Sequence, residues 1–178
     1  MTGSSPFERL KAIALAGQVL SIFGGAAVAV FSLGRWLDGP TLAASLVAEL
    51  PTAPVPQGSV LLTAYVISLV PAAIFVGAMA EAWRLFGLLG RGKPFTAPVP
   101  RSLARLAYWA TAAAGAGLVM RTVLGLVLTA SAPGGRKQLI IAIGSDEIGV
   151  LVMALLLLAF ALVMREAIRL DEDNQGII

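Results

Sequence analysis

The chain has 178 residues, of which 58% are hydrophobic and only 13% charged, with a formal net charge of +3. A soluble domain carries about 25% charged residues to cover its surface, so this composition excludes an ordinary water-soluble protein. The absence of cysteine and histidine excludes disulfide frameworks, thiolate chemistry and the common nitrogen and sulfur metal ligands.

Met1 to Pro6 reads as a loose tail, and Phe7 to Lys11 as an amphipathic lead-in. The first apolar stretch runs from Ala12 to Leu33. Its Arg9 and Lys11, with Ala27-Val28-Ala29, resemble the start and cleavage site of a secretory signal. The apolar run nevertheless continues unbroken to Leu33, so a retained span is expected. Three further stretches follow at Ser59–Ala80, Leu103–Ala130 and Ile148–Met164. About 20 apolar residues in a helix cross a hydrocarbon core about 30 Å thick. None of the stretches alternates with period two, so strands are not indicated. The expected fold is an all-α membrane protein: one domain, residues 1–178, of four transmembrane helices in a bundle.

Between the first two spans, residues 35–58 hold Pro40, Pro51, Pro54 and Pro56, and Thr41 to Leu50 reads as a short surface helix. This loop is too small to be a domain. Pro71 predicts a kink in the second helix. That helix is expected to run past the bilayer to Leu89 and to break at Gly90-Arg-Gly-Lys-Pro94. Pro94 to Pro100 reads as a turn, with the third helix starting near Arg101 or Ser102 and Ser102 as its cap. The connector over 131–146 is interrupted by Pro133-Gly134-Gly135, and the fourth helix leads into a charged tail over 165–178.

Short loops rich in lysine and arginine stay in the cytoplasm. The N-terminus, the 81–102 connector and the C-terminal tail together carry Arg9, Lys11, Arg84, Arg91, Lys93, Arg101, Arg105, Arg165 and Arg169. The opposite side carries Arg35, Arg136 and Lys137. This asymmetry predicts that both termini are cytoplasmic. The positive charge therefore reads as topology and contact with anionic headgroups, and no direct nucleic-acid binding is expected.

Arg121 is the clear ionisable residue within a span, so it should face the bundle interior or a wet cavity. Asp146 and Glu147 are its most reachable acidic partners, and Gly117 and Gly125 flank it at i±4. A helix–helix ion pair or snorkelling is preferred to a ligand contact. Glu81 should be neutralised by Arg84 at i+3 and by Arg105. Trp36, Trp83, Tyr108 and Trp109 read as interfacial belts, and Tyr65 and Gln18 as inter-helix hydrogen-bonding groups. Gly90-Arg91-Gly92-Lys93 lacks the glycine spacing and Lys-Ser/Thr pair of a phosphate loop. The Asp171–Glu172–Asp173 cluster reads as a solvated acidic tail. No catalytic constellation, metal site or cofactor site is recognisable, so an enzyme is not expected.

Two segments carry a family resemblance. One is Arg84-Leu-Phe-Gly-Leu-Leu-Gly-Arg-Gly-Lys-Pro-Phe95-Thr, followed by Pro100-Arg101-Ser-Leu-Ala-Arg105-Leu. The other is Arg165-Glu-Ala-Ile-Arg-Leu-Asp-Glu172-Asp-Asn174. Together they resemble DUF2975, a group of bacterial four-helix membrane proteins of unknown function. The family's tail continues with a Leu-Thr pair after its Asn and one further residue; here Gly176-Ile177 stands in that place. The resemblance implies a bacterial inner-membrane location. It also implies a cytoplasmic partner, with a small helix-turn-helix regulator as the candidate.

The leading expectation is a non-enzymatic regulatory or scaffold protein. Its platform would be built from Arg91, Lys93, Phe95 and Arg101 with Glu172 and Asn174, the basic connector touching the acidic tail. The competing expectation is an oligomeric transporter or channel subunit with Arg121 in a polar pathway. Ala110, Ala113, Ala114 and Gly117 offer a face for self-association.

Overall fold

The computed structural model describes residues 6–40, 43–44, 58–91, 96–130 and 145–175. They form four long helices: α1 (Pro6–Leu37), α2 (Gly58–Gly90), α3 (Pro98–Ala130) and α4 (Ser145–Gln175). Each contains a segment long and apolar enough to cross a membrane. At 31 to 33 residues, each helix is about 48 Å long, well beyond the hydrocarbon thickness. The apolar runs in the sequence mark the part of each helix that lies in lipid. The helices themselves continue into polar residues.

Contacts follow chain order: α1 packs on α2, α2 on α3, and α3 on α4. Among the described residues α1 touches no other helix than α2, and α4 no other than α3. The arrangement is therefore an open row with α1 and α4 at its edges. The outward faces are apolar, with Leu20 73% and Leu155 66% exposed. Such surface is stable against acyl chains and not against water.

The seams between helices are made of small residues. On α1, Ala14, Ser21 and Gly25 are buried, with Gln18, Val28 and Ser32 partly buried between and beyond them. The alternating steps of four and three keep one stripe facing α2, as in a left-handed coiled coil. On α4, Ala154 and Ala161 are the buried positions among the described side chains. Small side chains let backbones approach, which gives close packing where no hydrophobic effect separates helix from lipid. Two glycines take this furthest. A Cβ at Gly17 would stand 2.6 Å from carbons of the Phe86 ring, and one at Gly77 would stand 2.7 Å from the Trp109 ring. In each case a bulky ring from the neighbouring helix fills the notch.

Tyr65 donates its hydroxyl to the Ser32 carbonyl at 3.1 Å, tying α1 to α2 as the sequence suggests. Helix α2 runs through Pro71, which leaves the Ile67 carbonyl without its usual donor but does not end the helix. Helix α3 departs from expectation, because it starts at Pro98 and not at Arg101 or Ser102. Prolines are tolerated in a first helical turn, where backbone donors have no intrahelical acceptor. The Val99 amide donates to the Thr96 carbonyl at 3.0 Å and leads the chain into that turn. Ser102 therefore lies inside the helix, and its hydroxyl is used elsewhere.

Candidate functional site

The start of α1, the end of α2, the start of α3 and the end of α4 lie at the end of the molecule that carries most of its basic residues. At its centre is Glu81, only 4% exposed. Ser102, 5% exposed, donates its hydroxyl to Glu81 Oε1 at 2.6 Å. Arg84 Nη1 donates to Glu81 Oε2 at 3.4 Å from a side chain that is 64% exposed. The carboxylate is thus held mainly by a buried hydroxyl from α3, and secondarily by an arginine one turn along its own helix. The short hydroxyl bond to a charged acceptor is the stronger of the two. It joins α2 to α3 close to where the connector leaves the helices.

Around this pair lies a cavity of about 750 Å³. Lys11 from α1, Arg84 and Arg91 around the end of α2, and Arg101 and Arg105 from α3 all line it. Among the described residues, Glu81 is the one carboxylate in its lining. Five cations facing one carboxylate leave a concentrated positive field. Leu15 and Gln18 from α1 also line it.

A second groove, of about 560 Å³, separates α3 from α4. Arg101 stands between the two spaces and lines both. Arg165, Arg169, Glu166 and Glu172 line the α4 side. Arg169 pairs along its own helix with Glu166 at 3.5 Å and Asp173 at 3.8 Å. Part of the tail's acidic charge is thereby satisfied within α4, at the spacing expected for helix surface pairs.

Several expected site residues are therefore brought together. Arg101 and Glu172 share the α3–α4 groove, and Arg91 lines the neighbouring cavity. Lys93 and Phe95 lie outside the described residues, and with them the expected approach of Lys93 to Glu172. Asn174 is within α4, but its side chain lies outside the described residues, as do those of Arg121, Asp146 and Glu147. Gly117, expected to admit a neighbouring helix beside Arg121, faces open space: nothing stands within 4 Å of where its Cβ would be.

Sequence reasoning missed the bond from Ser102 to Glu81 because it assigned that serine to a cap. Lys11, counted only toward topology, also faces the α2 terminus, whereas Arg105 lines the same cavity as Glu81, where it was expected. Trp109, expected in an interfacial belt, packs its ring on Gly77. The i+3 spacing of Glu81 and Arg84, and Arg105 on the same side, were the parts of the site readable in advance.

Residues 39–178 match the family described as protein of unknown function (DUF2975). The chain belongs to DUF2975. The matched stretch contains α2, α3 and α4 whole, and α1 precedes it. It thus includes most of the basic cavity and all of the α3–α4 groove, whereas Lys11, Leu15 and Gln18 lie upstream. No curated protein and no solved structure matches the chain.

Proposed function

We propose that this DUF2975 protein is a non-enzymatic, multi-pass protein of a bacterial inner membrane. In this reading its basic end faces the cytoplasm and serves as a docking platform for a soluble regulatory partner. The observation that carries the reading is the α3–α4 groove. Helix α4 continues for eleven residues beyond Met164, to Gln175. That extension adds about 16 Å, whereas the headgroup layer on each side is about 7 Å deep. The last two turns of α4 would therefore stand in water, beside the start of α3.

Arg101, Arg165, Arg169, Glu166 and Glu172 give this groove both signs of charge. Interspersed charge suits selective recognition of a protein surface better than general attraction to lipid. The nine-to-three distribution of basic residues across the expected sides supports the cytoplasmic orientation. The family resemblance supplies the candidate partner class, a small helix-turn-helix transcription regulator.

The test is crosslinking and capture from native membranes, comparing the intact chain with Arg165→Glu/Arg169→Glu and with a chain lacking residues 171–178. The reading expects one soluble regulator retained by the intact chain and lost from both variants. It also expects that regulator, once purified, to bind the intact protein alone. Identical captures from all three chains would refute the platform.

A further inference from the structure

We infer that the cavity between the basic ends of α1, α2 and α3 is a binding site for an anionic phospholipid, with the phosphate inside it and an acyl chain along the α1–α2 seam. The inference does not depend on the docking platform, which lies on the other side of Arg101. It rests on two spaces that share a residue.

The first is the basic cavity. Lys11, Arg84, Arg91, Arg101 and Arg105 converge on it from three helices. A topological signal requires only that positive charge lie on one side of the membrane; it does not require a common concavity. Converging cations repel one another unless an anion lies between them. Glu81 offsets one of these charges through Arg84 and leaves the other four cations without a further carboxylate among the described residues of the lining. Arginine forks and a lysine ammonium are the donors that phosphate oxygens take. A volume of about 750 Å³ lies within the range of small-molecule sites and exceeds what a lone phosphate fills.

The second is a groove of about 290 Å³ that runs between α1 and α2 toward the bilayer interior. Ile22, Ala26, Val76, Met79 and Ala80 line it, so its walls are almost wholly apolar. Trp83 lines both the groove and the basic cavity. Its half-exposed indole stands where the polar and apolar spaces meet, the position tryptophan favours at a membrane interface. A charged space opening onto an apolar slot matches an amphiphile. A free phosphate would use the first and leave the second empty.

The experiment uses the full-length protein purified in a neutral maltoside and titrated with three probes: dioctanoyl phosphatidylglycerol, dioctanoyl phosphatidylcholine and inorganic phosphate. Two variants divide the site. Lys11→Gln/Arg105→Gln removes two cations that make no contact with Glu81 in its hydrogen-bonded pair. Ala80→Leu fills the groove from an exposed position, so folding should survive it. The expected result is saturable binding of phosphatidylglycerol, at least tenfold tighter than phosphatidylcholine and far tighter than phosphate. The double variant should weaken phosphatidylglycerol by about 25-fold, at about fivefold for each charge near an anionic headgroup. Ala80→Leu should weaken it by about five- to tenfold while leaving phosphate binding unchanged.

Equal binding of the two lipids, or an unchanged double variant, would overturn the site. Phosphate binding as tight as phosphatidylglycerol, with Ala80→Leu silent, would overturn the lipid and leave a soluble-anion site. If the double variant does not fold, Ala80→Leu and the lipid comparison in the unmodified protein still decide the matter.

Discussion

Replacing Ser102 by alanine tests how the basic end is held together. The hydroxyl donates to a carboxylate oxygen at 2.6 Å, and both residues are about 95% buried. A hydrogen bond to a charged group contributes about 1.5–3 kcal/mol, and removing one partner adds the cost of a buried acceptor left short of a donor. The remaining partner, Arg84, is 3.4 Å away and 64% exposed, so it compensates little. We expect Ser102→Ala to cost about 2 kcal/mol and to lower the melting temperature in detergent by about 4–8 °C. Arg84→Gln should cost less than about 1 kcal/mol, because an exposed arginine in an i,i+3 pair is screened. Replacing both buried partners, as Glu81→Leu/Ser102→Ala, should recover much of the loss, since neither is then left unpaired. Thermal unfolding followed by tryptophan fluorescence reads all three variants. A Ser102→Ala protein within about 0.5 kcal/mol of the parent, or an Arg84→Gln protein less stable than the Ser102→Ala protein, would refute this account.

Three further outcomes follow from the seams and the surface pairs of α4. Gly77→Ala places a methyl about 2.7 Å from the Trp109 ring and should cost about 1–3 kcal/mol by overpacking. Trp109→Leu should relieve that clash, so a double-mutant cycle on the two positions should show coupling above about 0.5 kcal/mol. Tyr65→Phe removes the hydroxyl bond to the Ser32 carbonyl and should cost about 0.6–1 kcal/mol in detergent unfolding. Arg169→Gln removes the two exposed pairs on α4 and should change stability by less than about 0.5 kcal/mol.

The four helices were legible because an apolar run of membrane length admits few other structures. Their ends were less legible. Hydropathy reports the part of a helix in lipid, and α4 continues past Met164 on charged residues that give no apolar signal. The start of α3 was misread because Pro98 and Pro100 look like breakers, although a first turn accepts them.

Within the site, the reach of Glu81 to Arg84 is helix geometry and can be read from spacing. The bond from Ser102 spans 21 residues and a connector, so only the packing of α3 on α2 shows it. The cavity is further still from sequence. Its cations come from three helices, and Lys11 joins the others only because α1 runs antiparallel along α2, with Gly17 receiving Phe86.

The central claim, that the basic end of all four helices forms one cytoplasmic surface, is tested most directly by labelling single cysteines. The chain contains none of its own, so each introduced thiol reports alone. Ser4→Cys, Thr96→Cys, Asp173→Cys and Gly134→Cys would be exposed to a membrane-impermeant maleimide in intact spheroplasts and in inverted vesicles. The account predicts that positions 4, 96 and 173 react in inverted vesicles and are protected in spheroplasts, with position 134 the reverse. Labelling of 4, 96 or 173 in intact spheroplasts would contradict it.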